Sequence, residues 1–487
     1  MRARKVFLAL VGPPDSSVGR RILLTLRQAI VDGTLAPGSP LPGTRAMASA
    51  YQANRQTVVT VIEKLEAEGL LESRQGIGTF VAETGKARPE AAPAAAGAAL
   101  GFDVPSALGL ESSIRQDALL LADGAPDATL APTEELAKAY RRALGRHGAQ
   151  LLGDHDPLGT PLLRDMTAEW LGMGRSTRVS ADRVVLVRGS SRALNLIVTS
   201  LLKPGDVIAV ENPGNRNAWE ILAQGGRHPL VPLRVDSQGV DPEDLERQLA
   251  ARRIRALYLT PGRQFPTGAS LPPHRVERVL ELAARYRTIV IEDDYDSAFV
   301  YGGIAPRPML AEDTHGLVIH IGSFSRLLAP GLRLGYVVLP APLVALIRRL
   351  KRFREGQGDP ALEWAMGDLI RDGDLTRHLR RATEIYRVRR DTLVEALRER
   401  LGHAVSVEPP AGGMGLWIKA REGVDAEAWI RSVRNRELVL NPPSHYFLGD
   451  PEPGFRMGFA QVPEADLREG VERLVQALAA MPEPRQG

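Results

Sequence analysis

The sequence predicts an α/β protein with two parts. These are an N-terminal winged helix-turn-helix and a larger domain on a largely parallel sheet, which has a smaller C-terminal α/β subdomain. Three observations support this. Residues 19–81 carry three helical apolar patterns followed by two short strands. Residues 83–118 are rich in alanine and proline. From about residue 119, helical stretches alternate with continuous apolar runs, which is typical of strands buried on both faces of a parallel sheet.

The composition excludes several classes of protein. The chain of 487 residues has no cysteine, so it forms no disulfide, thiolate metal site or cysteine nucleophile. Its net charge of +4 does not by itself indicate nucleic-acid binding. No apolar run approaches the roughly 20 residues that span a bilayer, and the basic start lacks the cleavage site of a signal peptide. We therefore expect a cytoplasmic protein with no metal and no membrane partner.

The predicted winged helix covers residues 12–82. Its first helix covers residues 19–32. Thr44 is expected to cap a second helix and Asn54 a third, because both residue types accept hydrogen bonds from helix N-terminal amides. The two wing strands are predicted at residues 70–74 and 79–81.

Residues 83–118 are predicted to be a linker. They show no apolar periodicity beyond alanine, and Pro89 and Pro93 disfavour a helix. The larger domain then covers residues 119–487, with the small subdomain beginning at about residue 385.

The third helix of the first part begins with side chains suited to DNA. In a helix-turn-helix these first residues meet base edges in the major groove. Arg55 can pair with guanine and Gln56 with adenine, while Arg45 suits a phosphate or a base edge. Arg74 stands in a wing whose glycines permit close approach to DNA. Residues 1–85 carry ten basic and seven acidic side chains, a net charge of +3. The alternative is a winged helix that contacts only protein.

This block resembles the GntR family of bacterial regulators over about residues 19–81. The shared segments are Leu35-Ala36-Pro37-Gly38, Leu41-Pro42-x-x-Arg45, Arg55-x-Thr57-Val58 and Leu65-x-x-x-Gly69-x-x-x-x-Arg74-x-Gly76-x-Gly78-Thr79. The resemblance implies that DNA is contacted by Arg45, Arg55, Thr57 and the wing residues Gly76, Gly78 and Thr79.

Polar residues follow each predicted strand of the larger domain. In doubly wound sheets the ligand crevice lies at these carboxyl ends. The predicted strands are 184–187, 207–210, 256–259, 289–291 and 317–321. The polar segments that follow them include Ser190, Glu211, Thr260, Asp293, Tyr295, Ser323 and Ser325.

Residues 122–480 resemble fold-type-I aminotransferases, and the two blocks together resemble MocR-type regulators. In such regulators this domain usually binds pyridoxal phosphate and senses a metabolite. The resemblance also implies a homodimer, because fold-type-I domains build their pocket at a dimer interface. The matching positions are Asp293 for the pyridinium nitrogen, Tyr295 for the ring hydroxyl, Ser323, Ser325 and Arg333 for the phosphate, and Arg456 for a substrate carboxylate.

The chain departs from this family pattern around the pocket. Residue 326 is an arginine where the family has the lysine that forms the Schiff base. A protonated guanidinium cannot supply the neutral amine that this bond requires. The other departures are Asn215 for a ring-stacking tyrosine, Gly262-Arg263 for Ser-His, Ser190-Ser191-Arg192 in the phosphate turn, and Gly415 for a histidine.

Three interpretations of the pocket remain open. Arg326 pairs with Asp293 in a pocket that has lost its ligand, the pocket binds a different anionic metabolite, or it binds pyridoxal phosphate non-covalently. We expect no covalent cofactor and no enzymatic activity; the alternative is an aminotransferase with an appended DNA-binding module. The expected function is that of a transcriptional regulator, a homodimer that binds operator double-stranded DNA. An anionic small molecule is its candidate effector, and a constitutive DNA-binding scaffold is the alternative.

Overall fold

The structure is a computed structural model that describes residues 8–11, 16–74, 77–82, 118–175 and 177–481. The chain divides into two units, Met1–Glu111 and Ser112–Gly487. Apart from residue 118, the predicted linker lies outside the described residues, and so does Gly76 of the wing. The assignments made for them stay predictions.

The first unit is a winged helix, as predicted. Its two strands pair antiparallel, and the apolar faces of its three helices meet in one core, where Ile22, Val58 and Leu65 are fully buried. The elements are α1 (Val18–Val31), α2 (Thr44–Ala50), α3 (Arg55–Ala67), β1 (Leu71–Arg74) and β2 (Gly78–Val81).

Caps determine where α2 and α3 begin. The Asn54 side chain accepts a hydrogen bond from the Gln56 amide at 2.9 Å, which confirms the predicted cap of α3. The prediction for Thr44 is wrong, because Thr44 is already the first helical residue of α2. The cap position needs an extended backbone, and Gly43 supplies it without a side-chain hydrogen bond.

The turn between α2 and α3 contains a strained residue. Gln52 has a φ of 50°, which lies in the left-handed region. This conformation costs a residue with a Cβ roughly 1–2 kcal/mol, whereas glycine adopts it freely.

We expect Gln52→Gly to raise the free energy of unfolding of the winged helix by about 0.5–1 kcal/mol. Relief of the left-handed strain should outweigh the greater freedom of glycine in the unfolded chain. Gln52→Ala is the matched control, because alanine keeps the Cβ and the strain. Native-state hydrogen exchange of α2 and α3 in the full chain measures both variants. Equal stability of the two would contradict the explanation.

The second unit consists of a large sheet with helices packed on it and a smaller C-terminal sheet. The helices are α4 (Thr133–His147), α5 (Pro161–Arg175), α6 (Ser190–Leu201), α7 (Arg216–Ala223), α8 (Pro242–Ala251), α9 (Pro273–Tyr286), α10 (Phe324–Leu327), α11 (Ala341–Arg354), α12 (Pro360–Arg371), α13 (Asp374–Leu401), α14 (Ala426–Ser432) and α15 (Glu464–Ala479). The strands are β3 (Leu119–Leu120), β4 (Val184–Val187), β5 (Val207–Asn212), β6 (Leu230–Asp236), β7 (Gly239–Val240), β8 (Ile254–Leu259), β9 (Ile289–Asp294), β10 (Val318–Ser323), β11 (Gly335–Val338), β12 (Val405–Val407), β13 (Gly415–Ala420), β14 (Leu438–Val439) and β15 (Gly454–Gly458).

Eight strands form the large sheet, in the order β4-β11-β10-β9-β8-β5-β6-β7. All neighbours from β10 to β6 in this order are parallel, which confirms the predicted sheet. The five predicted apolar runs coincide with β4, β5, β8, β9 and β10. The sequence did not predict β6, β7 or β11. Both β7 and β11 run antiparallel to their neighbours.

The smaller sheet has the order β12-β13-β15, and α13 packs against α15 beside it. Residue 385, near which this subdomain was predicted to start, lies inside α13, so the helix continues across the predicted boundary. The segment after residue 118 also belongs here, since Leu119 in β3 pairs with Leu438 in β14. Within the described residues, no helix combines the length and apolar character needed to cross a membrane.

Candidate functional site

The predicted DNA-facing side chains of the first unit lie at the start of α3 and in α2. Arg45, Arg55 and Gln56 are all exposed. Arg55 and Gln56 occupy the first turn of α3, whose start is determined by the Asn54 cap. Arg55 Nε is 3.5 Å from the Thr44 hydroxyl, a weak contact that leaves the guanidinium at the surface.

Thr57 has a packing contact that the sequence did not predict. It is half-buried, and a Cβ on Gly19 would lie 2.7 Å from Thr57 Cγ2. Glycine at position 19 therefore lets α1 approach α3 closely, with the Thr57 methyl at the contact.

The wing residues are ordered by contacts within the hairpin. Arg74 Nε donates to Glu72 Oε1 at 3.1 Å, and its guanidinium lies 4.9 Å from the centre of the Phe80 ring. The Thr79 hydroxyl lies 3.1 Å from the Ser73 hydroxyl. Gly78 has a φ of 140°, a conformation that residues with a side chain rarely adopt. Because Arg74 is hydrogen-bonded to Glu72, a DNA contact by Arg74 would compete with Glu72.

The predicted pocket residues of the second unit gather at the carboxyl edge of the large sheet. Asp293 lies near the end of β9 and Ser323 ends β10, with Arg326 in α10 directly after it. Ser190 begins α6 after β4, and Asn215 caps α7 after β5. The parallel strands bring these positions to one edge, as predicted.

Asp293 has one hydrogen bond and one unused oxygen. Its Oδ2 accepts from the Tyr258 hydroxyl at 2.8 Å, whereas Oδ1 is buried without a partner among the described residues. Burial raises the pKa of Asp293 to about 6, and the Tyr258 hydrogen bond opposes that rise. The Tyr295 hydroxyl beside it is likewise buried and unpartnered.

Glu211 is a buried carboxylate that was not assigned to the pocket from the sequence. It accepts hydrogen bonds from the Thr260 amide at 3.0 Å and the Thr260 hydroxyl at 2.6 Å. Burial raises the pKa of Glu211 to about 7, and the negative charge of Asp293 adds to the rise. Its position after the predicted strand at 207–210 was the signal that placed it at this edge of the sheet.

Arg326 is not paired with Asp293, because no nitrogen of Arg326 lies within 4.0 Å of a described carboxylate oxygen. Of the three interpretations of the pocket, the one with this ion pair is therefore wrong, and the other two stay open. Its Nη1 donates to the carbonyl of Gly124 at 3.0 Å. The guanidinium lies 5.3 Å from the centre of the Tyr295 ring, and Nε is buried without a partner in the described part of the chain. The side chain of Arg326 thus contacts the segment that follows β3.

Arg456 is almost completely buried, with 1% of its side chain exposed. Its Nε donates to the carbonyl of Asp123 at 3.1 Å and its Nη1 to the carbonyl of Pro266 at 2.7 Å. Asp296 Oδ2 lies 3.9 Å from its Nη2. A Cβ on Gly415 would lie 2.6 Å from its guanidinium carbon, so glycine there makes room for this arginine.

Two further departures from the family pattern have structural roles. Arg263 is buried and donates a hydrogen bond to the Ser270 hydroxyl. It packs against Gly412, where a Cβ would lie 2.3 Å from Nη2 of Arg263. Asn215 caps α7 by accepting from the Ala218 amide at 3.3 Å.

The predicted phosphate residues are partly engaged elsewhere. The Ser325 hydroxyl accepts from the Leu334 amide at 2.8 Å and donates to its carbonyl, and Ser323 caps α10. The exposed Arg333 lies beside Gly189 at the start of α6. A Cβ on Gly189 would be 3.9 Å from the guanidinium carbon of Arg333. The helix start and Arg333 together form a positive end of the pocket.

A winged helix joined to this sheet and strand-end pocket defines a class, namely a DNA-binding module with an aminotransferase-like domain. Residues 19–81 match the family of bacterial regulatory proteins named gntR. Residues 116–474, more than half of the chain, match aminotransferase class I and II.

The chain belongs to the aminotransferase class I and II family, and it joins that domain to a GntR-type winged helix, an arrangement that it shares with MocR/GntR-type transcriptional regulators. It is 29% identical over 479 residues to the probable rhizopine catabolism regulatory protein MocR of Rhizobium meliloti, covering 97% of this chain and 96% of that protein. The HTH-type transcriptional regulator TauR of Rhodobacter capsulatus is 28% identical, with 97% and 98% covered. The crystal structure of a multiple substrate aminotransferase from Thermococcus profundus is similar with a TM-score of 0.70 and 28% identity, covering 75% of this chain and 92% of that one.

The side chains at the sheet edge do not fit a covalently bound pyridoxal phosphate. Residue 326 offers a guanidinium instead of an amine, and that guanidinium is bound to Gly124. The unpartnered Asp293 Oδ1 and Tyr295 hydroxyl can still bind a ligand non-covalently. The described lysines of this unit are the exposed Lys138, Lys203 and Lys419, and Lys351, which is buried at the end of α11 and donates to the Gly356 carbonyl at 3.2 Å.

We expect Asp293→Asn to change how stability depends on pH. The folded-state pKa of Asp293, about 6, lies above the unfolded value, so the wild type loses stability as pH rises from about 4 to about 6. The variant lacks this loss, so the stability of the variant relative to the wild type should rise over that range by on the order of 2–3 kcal/mol. Thermal unfolding between pH 5 and 8 records the later part of this change. Asp165→Asn, at an exposed carboxylate, is the control; an equal slope in both variants would contradict the assignment.

Proposed function

We propose that the protein binds operator double-stranded DNA through α3 and the wing, and that its aminotransferase-like domain senses a small molecule without transamination. The observation that carries this proposal is Arg326 at the position of the Schiff-base lysine. A Schiff base needs a neutral amine, whereas a guanidinium stays protonated because its pKa lies above about 12. A regulator has no need of turnover, so the loss of this amine is compatible with its role.

We also infer a homodimer. The resemblance to fold-type-I aminotransferases implies a pocket at a dimer interface. Large apolar side chains at the surface of the second unit support a partner surface, since Leu152 is 80% and Phe353 79% exposed. A second copy of the chain would cover them.

We expect Arg55→Ala to weaken operator binding roughly tenfold or more at fixed salt, because a base contact contributes about 1–3 kcal/mol. Fluorescence anisotropy measures this on a DNA fragment that the wild type enriches from a random pool. Arg27→Ala is the matched control, because it also removes one positive charge. Arg27 lies in α1 and pairs with Glu68, the residue that follows the last residue of α3. Unchanged affinity in Arg55→Ala would sink the DNA assignment.

We expect the wild type to form no aldimine with stoichiometric pyridoxal phosphate, and so no lysine adduct after borohydride reduction. Arg326→Lys restores an amine at the sheet edge and should give an adduct at residue 326. Visible absorbance and peptide mass spectrometry measure the two outcomes. A stoichiometric lysine adduct on the wild type would overturn the proposal.

Non-covalent pyridoxal phosphate is the second candidate ligand, favoured by the unpartnered Asp293 Oδ1 and Tyr295 hydroxyl. A higher melting temperature with this compound, lost in Arg333→Ala and without any adduct, would support it. A constitutive DNA-binding scaffold would show no shift with any ligand.

A further inference from the structure

Two contacts place α1 and α3 side by side with their amino ends together. At the amino ends, Gly19 approaches Thr57 so closely that a Cβ on Gly19 would lie 2.7 Å from Thr57 Cγ2. Toward the carboxyl ends, Arg27 Nε donates to Glu68 Oε2 at 3.0 Å. The start of α1 therefore lies beside the start of α3, which is the part of a recognition helix that meets base edges.

Arg20 and Arg27 lie on the same side of α1. They are seven residues apart, and residues at this spacing share one face of a helix. The Arg27 side chain crosses to the carboxyl end of α3, where it pairs with Glu68. Arg20 projects from the same face about two turns earlier, beside the amino end of α3.

Arg20 has no carboxylate partner of this kind. It is exposed, and no described carboxylate oxygen lies within 4.0 Å of its guanidinium nitrogens. None of the three helices carries an acidic residue in its first turn, and the first acidic residue of α3 is Glu63. Asp15, which precedes α1, lies outside the described residues. The positive charges of Arg20, Arg45 and Arg55 at the helix starts are thus not balanced by described carboxylates there.

The spacing of two packed helices suits the spacing of the DNA strands around a major groove. Packed helices lie roughly 8–10 Å apart, and the major groove is about 12 Å wide. When the amino end of α3 enters the groove, the amino end of α1 lies over one of the two sugar-phosphate backbones that border it. An exposed arginine at this place meets phosphate oxygens, which a guanidinium binds with strong charge-assisted hydrogen bonds.

We propose that Arg20 binds a phosphate of the operator backbone beside the groove that α3 reads. This phosphate would be to Arg20 what the Glu68 carboxylate is to Arg27. The inference rests on the proposed function and makes α1 a further DNA-contacting element besides α3 and the wing. The contact positions α3 on the duplex without reading sequence, because phosphate contacts fix register and carry no base information.

The dependence of operator affinity on salt tests the phosphate contact. Each neutralised phosphate contributes about 0.9 to the slope of log affinity against log salt concentration, because bound counterions are released. We expect Arg20→Ala to reduce this slope for the full chain by about one between roughly 50 and 200 mM salt. Arg27→Ala is the matched control and should leave the slope unchanged, and Arg20→Lys should retain it because lysine keeps the charge. A wild-type slope in Arg20→Ala would overturn the inference.

A neutral phosphate analogue locates the contact on the DNA. Single phosphates of the enriched DNA fragment are replaced by methylphosphonate, one position at a time. At one or two positions the wild type and Arg27→Ala should lose affinity roughly threefold or more, whereas Arg20→Ala should lose none. Equal losses in all three proteins at every position would rule out a phosphate contact by Arg20.

Sequence preference separates this inference from the proposed function. Arg20→Ala should preserve the wild-type ranking of single base-pair variants of the fragment, whereas Arg55→Ala should relax it at one position. A relaxed ranking in Arg20→Ala would mean a base contact and would overturn the phosphate assignment. If the wild type enriches no DNA fragment, the proposed function fails and the inference with it. If the wild type binds DNA and Arg20 alone proves dispensable, the inference fails while the DNA assignment stands.

Discussion

Positive charge buried at the carboxyl edge of the large sheet is the constraint on which the second unit depends. Arg456 and Arg263 are buried and Arg326 is half-buried, while the nearby carboxylates are those of Asp293, Asp294, Asp296 and Glu211. A buried charge without acceptors is strongly destabilising, so each guanidinium must find oxygen atoms. Several of those oxygens are backbone carbonyls of loops, so the arginines connect loops that the sheet alone leaves unconnected.

The sheet could largely be predicted from the sequence because buried parallel strands are continuous apolar runs. The same reasoning missed β11, although all its side chains are buried. An apolar run carries no information about strand direction, and Gly335 at its start would place a Cβ 2.7 Å from the carbonyl oxygen of Gly322. Close backbone approach of this kind appears only once the neighbouring strand is known.

The site was predictable as a location and less so as a set of contacts. The strand-end rule correctly brought Asp293, Ser323 and Arg326 to one edge. It could not give the partner of Arg326, which is the carbonyl of Gly124, 202 residues away in the sequence. Every residue carries a carbonyl, so no side-chain pattern marks the one that is used. For the same reason, the sequence could not decide whether Arg326 pairs with Asp293, which was one of the three interpretations it left open.

Three of the departures from the aminotransferase pattern make local contacts in the structure. Gly415 leaves space for the guanidinium of Arg456, and Gly412 leaves space for that of Arg263. Asn215 is the N-cap of α7. Gly415, Asn215 and Arg263 therefore each have a packing or hydrogen-bonding role. Restoring a lysine at position 326 would supply an amine, but it would restore neither the stacking tyrosine nor the family's phosphate turn. We propose that the pocket is rebuilt around arginine–carbonyl contacts and is not an enzyme site with a single lost group.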